Sequence, residues 1–197
     1  MNARLRFATI ALVAALAACS QKAENATTNA VTDIGSDIGN AADNAVDTVG
    51  DALSTTPTGQ EFADKAAKSD AFEIAAGKLA KTNAESADVK KFAATMVEAH
   101  TGSTAKIKAA AAKAKPEIKP DATLTSDQQS ELDDLGKLKG ADFDKAYVDG
   151  QISAHEDALS LMKNYADKGD TPSLKTAAGE IAPKVQDHLD MAKKLKK

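Results

Sequence analysis

The 197-residue sequence has no tryptophan, one cysteine, five prolines and an aromatic content of only 4%. A lone cysteine forms no internal bridge, so a disulfide scaffold is excluded. No stretch alternates apolar and polar residues at the period of a strand for any useful length, which speaks against a β-sandwich or a parallel α/β enzyme. There is no Walker phosphate loop, glycine-rich dinucleotide fingerprint, His-Glu-x-x-His zinc motif or Cys-x-x-Cys pair, so nothing points to a standard enzyme. The net charge is −4 at pH 7. Such a body offers no electrostatic footprint for nucleic acid, and no nucleic-acid partner is expected. What the sequence has in quantity is alanine, with 42 residues, against 39 for Leu, Ile, Val, Phe and Met together. Alanine with Lys, Glu and Asp favours helix. The large aliphatic residues suffice for one small all-α domain.

The N-terminus reads as an address. Arg4 and Arg6 precede an apolar stretch, Phe7 to Leu16, that is too short to span a bilayer. Small residues follow, as in a secretory signal. Leu16-Ala17-Ala18-Cys19 resembles a bacterial lipobox. That resemblance implies a signal peptide at 1–18 and a lipid on the sulfur of Cys19; the alternative is an ordinary signal cleaved near a cysteine. Ser20 stands where an Asp would otherwise signal retention, which by resemblance to Gram-negative lipoproteins implies the outer membrane, with the chain facing the periplasm. The membrane partner is then reached through acyl chains.

Residues 19–56 read as a tether. No Lys or Arg occurs from Ala23 to Asp64, and Asn, Thr and Gly are frequent. Val31, Ile34, Ile38, Ala42, Ala45, Val49 and Leu53 nonetheless fall at helical spacing, so a weak amphipathic helix competes with disorder. The domain is placed at 57–197. Thr58-Gly59-Gln60-Glu61 is a capping-box pattern. Helices are predicted over 59–82, 87–113, 142–167 and from Thr171-Pro172 to Leu195, with a short one from Ser126 to about Leu138. Pro116 and Pro120 stop the second, and Gly140 breaks the pattern before the third. Two short turns and one long connection of about 28 residues suit a four-helix bundle, ferritin-like if the connection crosses over.

Only three histidines exist, and each lies on the apolar stripe of a different helix. His100 follows Val89, Ala93 and Met96. His155 follows Val148 and Ile152. His188 follows Ile181 and Val185. The first helix carries Phe62, Ala66, Ser69, Glu73, Ala76 and Ala80 at the same spacing, so Glu73 is its inward carboxyl. Counting from the turns, Glu73 and His100 differ in depth by about 6 Å, and His155 and His188 by about 7 Å. Glu73, His100, His155 and His188 are thus a candidate first shell for zinc, iron or copper. The other reading makes them core polar groups bonded to one another, to Asp144 or to Tyr147. No His is preceded by Glu at i−3, so a standard di-iron centre is not expected. Glu98 and Glu156 read as surface residues. Met96, Met162 and Met191 lie within two turns of a histidine but read first as core fillers. Lys193, Lys194, Lys196 and Lys197 complement the negative end of the last helix.

The segments Met96-Val97-Glu98-Ala99-His100, Phe143-Asp144 with Tyr147 and His155, and Pro183 with His188-Leu189 resemble in combination the bacterial envelope family called domain of unknown function 4142. The resemblance spans about 59–195. It implies a ferritin-like bundle and export or lipid anchoring, and it assigns no chemistry.

Overall fold

The computed structural model describes residues 56–196. The lipobox, Cys19 and the periodic stretch 31–53 lie outside the described residues. Five helices and no strand occur among the described residues: α1 Gly59–Asn83, α2 Ala87–Ala111, α3 Ser126–Lys137, α4 Gly140–Lys168 and α5 Pro172–Leu195. The described part of the chain is all-α, and none of these helices is long and apolar enough to cross a membrane.

Local chemistry explains the boundaries. The Thr58 hydroxyl accepts from the Glu61 amide, and the Glu61 carboxylate accepts from the Thr58 amide at 2.9 Å. Thr125 and Gln128 repeat this reciprocal cap at α3. Each satisfies two of the amides that a helix start leaves bare. Pro172 opens α5, where a missing amide hydrogen does no harm. Two expectations need correction. α2 ends at Ala111, ahead of the prolines, and the chain turns there through bonds from Lys113 to Ala110 and from Ala114 to Ala111. The break at Gly140 is there, but the next helix starts two residues earlier than 142: Gly140 itself begins α4 at φ +61°, where glycine has no side chain to clash.

The ends of the helices fix their directions. The Gly59 amide donates to Asp170 at 3.3 Å, and the Ser173 hydroxyl donates to the Ala110 carbonyl at 2.7 Å. α1 and α5 therefore begin at one end of the bundle, where α2 and α4 finish. At the other end Ala84 bridges to Gly140, and Asp144 accepts from the Glu85 and Ser86 amides at 3.1 and 2.7 Å. α1 and α2 form one antiparallel hairpin and α4 and α5 the other; α2 lies against α5, and α1 against α4. The order is up, down, down, up.

The connection 112–139 must then travel the length of the bundle, and it does so along α1. Gln60 donates to the Lys119 carbonyl at 3.0 Å, Lys68 pairs with Asp121, and Asn83 donates to the Gly136 and Leu138 carbonyls at 3.1 Å. α3 lies at the upper end of this path. Its Leu132 and Leu135 join Phe72, Phe92, Phe143 and Tyr147 in one apolar cluster. A second cluster, with Phe62, Ile107, Leu159, Met162, Tyr165, Leu174, Ile181 and Val185, fills the other half. Phe62 stacks on Tyr165 with centroids 3.9 Å apart. Apart from Asn83 at the end of α1, the buried polar residues among those described, Asp70, Glu73, His100, Gln151 and His155, come from mid-helix positions of α1, α2 and α4.

Candidate metal centre

His100 of α2, His155 of α4 and His188 of α5 meet in the core. Their ring centroids lie 5.7 Å (100–155), 6.0 Å (100–188) and 5.6 Å (155–188) apart. One nitrogen of each lies within 4.8 Å of those of the other two. Nitrogens on one tetrahedral zinc at about 2.1 Å would stand about 3.4 Å apart. Side-chain rotation on binding an ion would have to close the difference. The depth offset counted from the turns did not keep the rings apart.

Two of the three rings have one nitrogen held by a protein partner. His100 Nδ1 lies 2.8 Å from Asp70 Oδ1. His155 Nδ1 lies 2.8 Å from the Gln151 carbonyl, which only accepts, so that nitrogen carries the proton. The nitrogens that remain, His100 Nε2 and His155 Nε2, are buried without a protein partner, as is His188 Nδ1. A ring that donates from one nitrogen to a carboxylate or carbonyl, and leaves the other bare, is oriented as metal-ligating histidines are.

Asp70 is the residue that the stripe reading of α1 passed over in favour of Ser69. It is 4% exposed and accepts from His100 and, at 3.0 Å, from the Thr104 hydroxyl. Thr104 on the His100 stripe was the available signal, since a half-buried hydroxyl on an inward stripe needs a partner. Glu73 is 1% exposed, as an inward residue should be, but it does not belong to the group of converging nitrogens. Its Oε2 accepts from the Gln151 amide, and its Oε1 has no protein partner. Asp144 does not bond a histidine; it caps the start of α2. Tyr147 is buried with its hydroxyl unpartnered. Glu98 is exposed, and Glu156 pairs at the surface with Lys193 at 2.8 Å. Met96 and Met162 are core residues in opposite clusters, while Met191 is 37% exposed.

Burial dominates the titration of the site. It holds the His155 imidazolium below its usual range, and pushes that of His188 down to about 4, with the neighbouring His155 and His100 adding to the effect. For His100 burial acts in the same direction, but the hydrogen bond to Asp70 and the charges of Glu73 and Asp70 outweigh it, so its pKa rises. A histidine with a depressed folded pKa binds its proton more readily when unfolded. Its stabilising contribution is complete above the unfolded value of about 6.5 and is lost as the pH falls from there towards 4. Replacing His155 and His188 together by leucine is therefore expected to flatten the decline of the ion-free melting temperature between pH 6.5 and 4. Circular-dichroism melts at half-unit pH steps measure this, and an unchanged slope would contradict the assignment.

Two solved structures share this fold. CopM in the Cu(II)-bound form superposes with a TM-score of 0.61 at 16% identity, covering 72% of this chain and 97% of CopM. CopM in the Cu(I)-bound form gives 0.58 at 17% identity, covering 70% and 94%. None of the curated proteins compared matches the chain. Residues 44–195 match the family described as Domain of unknown function (DUF4142), a range that takes in all five helices and begins inside the segment read from sequence as a tether. The chain belongs to the DUF4142 family.

Proposed function

We propose that this chain is a lipid-anchored protein of the bacterial cell envelope whose ferritin-like bundle holds one transition-metal ion through His100, His155 and His188. The observation that carries the reading is the convergence of three imidazoles, two buried and one half-buried, with the proton of His155 and the orientation of His100 fixed from behind. Three imidazoles suit copper, zinc or iron and do not suit magnesium or calcium. The donor set fits such an ion because it would give a partner to ring nitrogens that otherwise lack one. Up-down-down-up order with one long crossover is ferritin-like connectivity. CopM, which has a similar fold, was solved with copper bound, and this supports copper as the first ion to test. The role that follows is buffering of metal, or of oxidants through the metal, on the periplasmic side of the outer membrane. Cys19 supplies the anchor.

One preparation tests both parts. The full chain and its Cys19→Ala variant are produced in a Gram-negative host without added affinity histidines, fractionated, and assayed by elemental analysis and copper or zinc titration. Wild type is expected in the membrane fraction and the variant in the soluble fraction, each binding one ion per chain. Saturation at about one hundred times Kd should add about 2.7 kcal/mol of stability. Equal partitioning of the two proteins rejects the anchor, and failure of both to bind any of the three metals rejects the site.

A further inference from the structure

The charge around the histidines, taken together with the bound-ion reading above, narrows the kind of ion. Two carboxyl groups, Asp70 and Glu73, are buried beside the rings, and no Lys or Arg is among the buried described residues. Asp70 uses both oxygens on His100 and Thr104. Glu73 uses only one, on Gln151, and keeps Oε1 buried without a protein partner. Gln151 links it to the site: its side-chain amide donates to Glu73, and its backbone carbonyl holds His155 Nδ1, although Glu73 is not one of the converging donors. Imidazoles bind metal in their neutral form. The histidines therefore contribute no charge. With Asp70 and Glu73 both present as carboxylates, a dication would make this layer neutral. A monocation leaves one uncompensated charge in an apolar core, which is strongly unfavourable.

We propose that Glu73 is a charge-setting residue that makes the three-histidine site selective for divalent over monovalent ions. It need not touch the ion. Coulomb energy is proportional to the ion's charge, so the influence of Glu73 on a dication is twice that on a monocation in free energy, and the square in affinity. Asp70 contributes in the same sense, but it also orients His100 and so gives a less separable test.

Zn(II) and Ag(I) are suitable probes, since both are redox-inert d10 ions. Their affinities are measured by competition titration on the full chain and on Glu73→Gln, whose amide oxygen can still accept from Gln151. The expected result is a loss of about tenfold for Ag(I) and about a hundredfold for Zn(II), the squared relation being the signature of charge. Equal losses for the two ions, or a larger loss for Ag(I), would overturn the inference, because a disturbed packing or geometry has no reason to follow ion charge. If Glu73→Gln folds only with ion present, the ratio is read instead from the melting shifts that each ion induces at matched concentration. Wild-type protein that binds neither ion rejects the three-histidine site itself. Binding that survives in wild type with no difference between the ratios of the two proteins rejects only the role of Glu73.

Discussion

Replacing His100, His155 and His188 together by alanine is expected to abolish stoichiometric metal binding while the helices remain. The histidines hold few of the contacts that keep the bundle closed. The two apolar clusters on either side contain all the large core residues, including the stacked Phe62–Tyr165 pair and the Phe143–Tyr147 pair at 5.7 Å. Loss of three rings leaves a polar cavity next to Asp70 and Glu73, which water can enter. Isothermal titration with Cu(II) and Zn(II), alongside far-ultraviolet circular dichroism, reads both halves of the expectation. A folded variant that still binds one ion per chain contradicts the site. Asp70→Ala should give a graded effect. It frees the His100 ring and leaves the Thr104 hydroxyl without its carboxyl partner, and loss of such a second-sphere carboxylate lowers metal affinity about 10–100-fold. Asp70→Asn keeps an acceptor for His100 Nδ1 and should lose less.

The helices and their order were legible because caps and apolar periods act locally. Thr58 with Glu61, Ser126 onward, and Pro172 each sit within one turn of an observed helix start. The length of the connection allowed a crossover but left a simple up-down bundle open; the contacts of the connection along α1 decide it. The histidines were legible as inward residues because the chain has so few, each on a clean 3-and-4 stripe. The hydrogen-bonding sphere behind them was not. From Ala66 a helical face continues equally well through Ser69 or through Asp70 to Glu73, and spacing cannot choose between them. The choice is made across the bundle, where Thr104 and His100 offer Asp70 two donors. Gln151 escaped notice for a similar reason. Its backbone carbonyl, a group carried by every residue, fixes His155, and its amide reaches Glu73 in another helix. Gly140 was read correctly as a break, but not as the first residue of α4. A glycine after a helical pattern usually marks an end, but here the preceding α3 already stops at Lys137 and the positive φ serves the entry to α4.

The stability of the layer itself separates a metal site from a structural polar core. Asp70, Glu73, His100, Gln151 and His155 are buried, and with Tyr147 and His188 they leave six side-chain atoms without a protein partner. Such an atom that finds neither ion nor water is unfavourable by about 1–3 kcal/mol, so in the absence of an ion the layer depends on water for its partners. Leucine at Asp70, Glu73, His100, Gln151, His155 and His188 together would join the apolar halves into one core. Buried ionic groups replaced by well-packed apolar ones of similar volume often gain about 1–4 kcal/mol. The six-fold variant is therefore expected to be more stable than the ion-free wild type by about that amount in urea unfolding, with no metal binding. A core whose polar groups existed to fix helix register would behave otherwise: its replacement would lower stability, or give a molten bundle with a shallow transition and a reduced m-value. A stiffer, metal-blind variant identifies the layer as a place where stability is given up to hold an ion, since functional sites commonly carry such a stability deficit.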